Sequence, residues 1–267
     1  MDFSFPRYIS WRIHIPNNDP LSVFGKQTTT RIKKADRLLS EYGYRFVIED
    51  VTPSYLDKFV PLYEKNILSK ERGTVFPVRK RVTEGEASGK RYQVVSLYKG
   101  DEYLGGIIFG INPSNDFVSS AYKVFPHSIP EKIPISVSFV ADFYFYSHSI
   151  SLGCHNVSHG YDRNIYGYHS AIGLACYKIQ VGGKPFIPTY KITSKEPNEI
   201  LHTIPQFSDD MFVLLGDTFE TFSEKALCIS DKPVEELKKK YPILFSNQYF
   251  ETNIVHPREM PVDTAWK

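Results

Sequence analysis

A chain of 267 residues and 30.7 kDa exceeds one simple domain and falls short of two full-sized ones, which leaves one elaborated domain or a pair of small ones. Hydrophobic residues at 42%, charged residues at 23% and a mean hydropathy of -0.29 exclude the disordered and fibrous classes. Lys+Arg 32 against Asp+Glu 30 leaves +2, which excludes a global cationic field for a nucleic-acid backbone and leaves open only a local basic groove. An aromatic content of 15% points to a sheet-rich core with aromatic walls around a pocket or partner surface.

In chain order, MDFSFPRYISWRIHIP carries charges and a proline where a secretory segment needs an unbroken apolar run, so a soluble, cytoplasmic protein is expected. Met1 to Thr30 mixes Pro6, Pro16 and Pro20 with Gly25 and shows no sustained period, and reads as short extended pieces and turns. Thr30 is placed to cap a helix through Ile32, Ala35, Leu38, Leu39 and Tyr42 that stops at Gly43. Its outer Arg31, Lys33, Lys34 and Arg37 suit a solvated face or contact with an anionic ligand or RNA.

YRFVIEDV from Tyr44 alternates like a strand, and Leu56, Phe59, Val60, Tyr63 and Ile67 then repeat at helical spacing. Ser69 to Arg91 is polar and reads as a loop or short helix. YQVVSLYK, the Gly100-Asp101 turn and EYLGGIIFGI predict a hairpin, with a third strand at Phe117 to Val124. Ser136 opens a helix to Leu152, apolar on most faces; its Asp142 and His148 argue for a buried helix rather than a membrane span. A strand over CHNVSHGYD, a helix through Ile172 to Ile179 ending at Gly182-Gly183, and a strand over KPFIPTYKIT follow. Beyond Ser194 the pattern weakens to MFVLLG, KALCIS and a short VEELKKKY helix. The boundaries this implies are 1-43 for an N-terminal segment and helix, 44-193 for the core, and 194-267 for a C-terminal extension packed on it.

The order strand, helix, loop, three strands, helix, strand, helix, strand resembles the GNAT acyltransferase fold. The residues that sharpen the match are Leu152-Gly153-Cys154, a strand ending at Gly160, the loop Tyr161-Asp162-Arg163, the run Gly173 to Lys178, and Gly182-Gly183-Lys184-Pro185. They are similar to the C-terminal portion of Fem-type aminoacyl transferases and their acetyltransferase-like relatives, over Tyr44 to Thr193. The resemblance implies an α+β, mixed α/β fold: a splayed mixed sheet flanked by helices that opens between its fourth and fifth strands to admit an acyl donor, with additions at both ends. It implies an N-acyltransferase that moves an acyl or aminoacyl group from a thioester or ester to a small amine or amino-acid-like acceptor. A non-catalytic binding or scaffold protein of the same fold is the alternative.

Acetyl-CoA enzymes of this kind place a glycine-rich turn before the central helix, whose bare backbone N–H groups cradle a pyrophosphate. Here that stretch is Lys132-Ile133-Pro134-Ile135-Ser136-Val137, without glycine and with one donor lost to Pro134. Lys132 and Ser136 are the candidates for meeting a phosphate, and the donor can equally be acyl-CoA, an acyl-carrier-protein thioester or aminoacyl-tRNA. Lys178 matches the family's aromatic-Lys pair and is expected to serve a donor or acceptor phosphate, or else to snorkel to the surface.

Amine acylation needs an acceptor for the ammonium proton and a proton source for the leaving group. The resemblance puts His159, Tyr161, Asp162 and Tyr168 at the lip of the opened sheet, with Asp162 or His159 as base and Tyr161 or Tyr168 as acid. The structural alternative is a turn-capping Asp162 and a satisfied core His159. Asp142, an acid in an apolar helix, either faces the acceptor or is paired structurally. Cys154, Cys176 and Cys228 are scattered, and Cys154, His155, His159 and His148 lack metal-ligand spacing, so no metal is expected.

Overall fold

The computed structural model describes residues 4–70, 73–111, 117–188, 198–200, 210–216 and 221–256. Strands β1 (Ser4–Pro6) and β2 (Tyr8–His14) precede helix α1 (Lys26–Glu41), β3 (Tyr44–Asp50), α2 (Pro53–Leu68) and α3 (Val78–Ala87). Strands β4 (Arg91–Lys99), β5 (Glu102–Ile111) and β6 (Phe117–Val124) lead to α4 (Val137–Ser151), β7 (Asn156–Arg163), α5 (Ile172–Gln180) and β8 (Lys184–Phe186). The remainder comprises β9 (Asn198–Ile200), β10 (Met211–Leu215), β11 (Lys225–Ile229), α6 (Val234–Lys240), α7 (Pro242–Ser246) and β12 (Glu251–Val255). Seven strands form one mixed sheet in the order β3-β4-β5-β6-β7-β2-β8, beside a β1-β9 pair and a β10-β11-β12 sheet. The chain divides into two units, residues 13–160 and residues 1–12 with 161–267.

Within residues 13–160, β3 to β6 pair antiparallel in sequence order as a meander: the short Gly100-Asp101 turn joins β4 to β5, while α2 and α3 intervene between β3 and β4. Gly105 (φ +148°) and Gly106 serve close approaches that no side chain would allow. A Cβ on Gly105 would run into the Val124 carbonyl, and one on Gly106 into the Tyr55 hydroxyl. Tyr55, Leu56, Phe59 and Tyr63 of α2, with Val78 and Val82 of α3, cover Val94, Ile108, Tyr122 and Val124 on one side of the meander. On the other side, Phe145 of α4 packs on Phe109 at 5.2 Å and Tyr144 stacks on Phe46 at 4.7 Å. Tyr144 also donates to Asp36 of α1 at 2.9 Å. Strand β6 then pairs in parallel with β7 at only three positions, Phe117↔Asn156, Val118↔Val157 and Ser119↔Ser158, although β6 itself runs on to Val124.

Within residues 1–12 and 161–267, Ser10 to Arg12 pair antiparallel with Lys184 to Phe186. Ile9 and Trp11 pack with Tyr166, α5 residues Ile172, Ala175 and Ile179, and Phe212, Leu214 and Ala226. Asn164 is fully buried and stitched in by donating to the Pro6 and Leu214 carbonyls and accepting from the Leu214 amide. Asp210 ties the C-terminal elements together, accepting from Ser230, Lys232, Lys240 and Tyr241. Burial would raise its carboxyl, but those donors hold it below the ordinary carboxylate range.

Several elements depart from expectation. The leading segment contains β2, an internal strand of the main sheet: Pro6 and Pro16 flank Tyr8–His14 instead of interrupting it, so Ile9, Trp11 and Ile13 can bury. Helix α1 begins one turn early, behind Gly25, and the Thr30 hydroxyl donates back to the Lys26 carbonyl instead of capping. The polar stretch after Ser69 yields a full helix, α3, whose buried Gly85 lets it lie against Tyr92. The last expected strand is short, Lys184–Phe186, and residues 189–193 of it lie outside the described residues. Among the described residues, no helix is long and apolar enough to cross a membrane.

Candidate active site

Asp142 and Tyr146 stand one turn apart on α4, so their side chains share a face. Asp142 is fully buried and accepts from Lys123 Nζ of β6 at 2.8 Å, and the same Nζ donates to the Ser138 carbonyl. A carboxylate there needs that partner, since an unpaired buried charge is costly. Tyr146, also fully buried, shares a 2.6 Å hydrogen bond with His159 Nε2 of β7. Phe145 meets the His159 ring edge to face at 6.1 Å. Lys123 comes from the part of β6 beyond its last β7 pair, and His159 immediately follows Ser158, the last residue of β7 paired with β6. Two polar pairs, one fully buried and one partly buried, therefore attend the point where the parallel register ends.

The approach to α4 is built differently from a phosphate cradle. Ser136 is the N-cap and its hydroxyl accepts from the Ser138 amide, occupying one of the first-turn donors. Lys132 is exposed. Glu131 just before it accepts from Lys99 and Tyr44 and is held down at about 2 by those hydrogen bonds, Lys99 first.

Asp162 sits in a saturated cluster within the other unit. Lys178 Nζ lies 2.7 Å from both of its oxygens, and Trp11 Nε1 and the Tyr166 hydroxyl each donate to Oδ2 at 2.9 Å. The Lys178 and Asp162 side chains are only 7% and 9% exposed. Burial pushes the Lys178 ammonium below its ordinary value while Asp162 opposes that shift. Tyr161 is half-buried, and Tyr168 is 45% exposed with its ring against His169.

The structure thus joins Asp162 to Lys178, two residues expected to do separate work, and gives Asp142 and His159 the partners Lys123 and Tyr146. Sequence reasoning passed over Trp11, Lys123, Tyr146 and Tyr166. Tyr146 and Lys123 carried a usable signal, as the residue four on from Asp142 and as the one charge of Phe117 to Val124. Burial pushes the Cys176 and Cys228 thiols up to about 11 and about 12, so both stay protonated at neutral pH. Among the described residues, no group of three or more His, Cys, Asp or Glu could hold a metal ion.

The element order and the mixed sheet, with its parallel β6–β7 pairing cut short beside the central helix, make this a mixed α/β fold. The chain is similar to FemX, with 13% identity and a TM-score of 0.47 over 68% of this chain and 60% of that one. It is also similar to a conserved protein of unknown function from Bacteroides thetaiotaomicron, with 15% identity and a TM-score of 0.47 over 67% of this chain and 56% of that one. A tandem GNAT protein from the clavulanic acid biosynthesis pathway matches with 12% identity and a TM-score of 0.39 over 68% of this chain and 50% of that one. The chain thus spans between 50% and 60% of the length of these three structures. No family model and no curated protein matches.

Proposed function

We propose that the protein is an N-acyltransferase in which His159 accepts the proton of an amine that attacks the carbonyl of an acyl thioester or ester. The observation that carries this is the early end of the β6–β7 register, attended by the His159–Tyr146 and Lys123–Asp142 pairs. A parallel sheet that stops pairing exposes backbone donors and acceptors to a substrate, and an imidazole there is suited to proton transfer near neutral pH.

In the proposed step the amine nitrogen bonds to the carbonyl carbon, the carbon–sulfur or carbon–oxygen bond breaks, and the ammonium proton passes to the His159 ring nitrogen that does not face Tyr146. The leaving group departs with a proton supplied by solvent. Tyr146 fixes the imidazole ring, and Lys123–Asp142 keeps the adjacent turn of α4 rigid. Asp162 is assigned to positioning rather than to proton transfer, because its oxygens already accept from Lys178, Trp11 and Tyr166. Tyr168, Lys132, Ser136 and Lys178 are assigned no chemical step. The donor is an acyl-carrier-protein thioester or aminoacyl-tRNA in preference to acetyl-CoA, because the α4 turn lacks glycine and its Ser138 amide is already occupied.

A second reading, a GNAT-fold binding protein without catalysis, draws support from the same internal compensation of Asp142 and Asp162. Thermal shift against an acyl-carrier-protein thioester, aminoacyl-tRNA and acetyl-CoA separates donors, since a ligand that binds only the folded state raises Tm. The acyltransferase reading expects a rise with one donor; no rise with any of them contradicts it.

A further inference from the structure

The β6–β7 register stops at a local turn in β7. Ser158 is only 2% exposed, and its hydroxyl oxygen accepts the Gly160 backbone N–H at 3.0 Å. Gly160 is left-handed, with φ +76°. A hydroxyl bonded to the amide two residues on closes an ST-turn, and the residue at its centre is His159. Space does not demand glycine here, because a Cβ would sit 3.5 Å from the Ser120 carbonyl, an ordinary contact. The positive φ does demand it.

Continuing the register past Ser119↔Ser158 would set Ala121 opposite Gly160. The Ser120 carbonyl of β6 lies close to Gly160, yet the Gly160 amide donates to Ser158. An amide turned back on its own strand is withdrawn from the ladder that further parallel pairing would need. Strand β6 is irregular at the same level: its ladder with β5 passes from Ser120 to Tyr122 and leaves Ala121 out as a bulge. Ala121 is exposed, although β6 is an internal strand of the seven-stranded sheet. Two irregularities thus fall at the level where pairing stops. Ser158 and Gly160 flank His159 directly, so their bond fixes the backbone from which the imidazole reaches Tyr146 Oη at 2.6 Å.

We infer that Ser158 is a positioning residue for His159: by holding the Gly160 amide it ends the β6–β7 pairing and sets the direction of the imidazole. The turn stands on its own geometry; its bearing on proton transfer rests on the acyltransferase reading. A general base must lie within hydrogen-bond reach of the proton it takes, so a ring set wrongly lowers the chemical step rather than binding.

The test compares Ser158→Ala with Ser96→Ala, which removes another fully buried serine hydroxyl, one that donates to Tyr55 of α2 and not to β7. Amide hydrogen exchange at Gly160 and the ring nitrogen signals of His159 are read by NMR on the full chain without any donor. Ser158→Ala should speed Gly160 exchange by about ten-fold or more and shift the His159 signals, while Ser96→Ala changes neither. Ser158→Cys, a weaker acceptor at the same place, is the second variant and should move both signals the same way by less. In acyl transfer with the donor selected by thermal shift, Ser158→Ala should lower kcat about ten-fold and change KM less than about two-fold. On a His159→Gln background it should change kcat less than about two-fold, because Ser158 acts through His159. Unchanged Gly160 exchange and His159 signals, or a kcat loss just as large without His159, overturns the inference. With no transfer by the wild-type chain from any donor, the proposed function is overturned, and the NMR changes at Gly160 and His159 still uphold the hold of Ser158 on the ring.

Discussion

Asp162→Asn removes the charge that compensates a buried Lys178, so the expected effect is a loss of about 3–5 kcal/mol of stability in urea denaturation. Asp162→Leu combined with Lys178→Met should recover much of that loss, because an apolar pair of similar volume avoids burying charge. A merely local effect at Asp162 would leave the double variant no better than the single one. Glu131 governs a pH window. Its folded carboxyl sits at about 2 against an ordinary 4.5, so below 4.5 the unfolded chain binds a proton that the folded chain does not. Its contribution is present above 4.5 and is lost as pH falls toward about 2. Glu131→Gln should therefore flatten the acid limb of the stability–pH curve, measured by denaturation at successive pH values; an unchanged limb would remove Glu131 from the account. Chemistry-bearing residue types at this scale were legible in the sequence, but their partners were not. Nothing local to Asp162 foretells Trp11, which is 151 residues away in the chain.

At the scale of elements, the hairpin and the central helix could be read directly because their signals are local: alternation bounded by a turn, and an apolar run behind a capping serine. Ser136→Ala should cost about 1 kcal/mol by exposing the Ser138 amide, measured by chemical denaturation. Gly105→Ala should cost about 2 kcal/mol or more, since φ +148° is unfavourable for alanine and its methyl would press on the Val124 carbonyl. A near-neutral result would mean that β5 and β6 part easily there. Strand β2 was illegible for the opposite reason. Its place beside β7 and β8 is set by non-local pairing, and the prolines around it resemble loop punctuation when only the neighbouring sequence is considered.

For the whole molecule, the balanced charge and the mixed sheet were foreseeable, because composition and element order constrain fold class. The distribution of site residues was not, because whether a strand keeps pairing depends on neighbours far away in sequence. The central claim is acyl transfer with His159 as proton acceptor. Its most direct measurement is mass spectrometry of amide products formed from a mixture of amines and amino acids, with the donor selected by thermal shift, comparing the wild-type chain with His159→Gln at equal folded concentration. The account predicts a new amide from the wild type and a rate lowered about 100-fold or more in the variant, the loss expected on removing a general base. No amide from the wild type, or equal rates from both proteins, would contradict it.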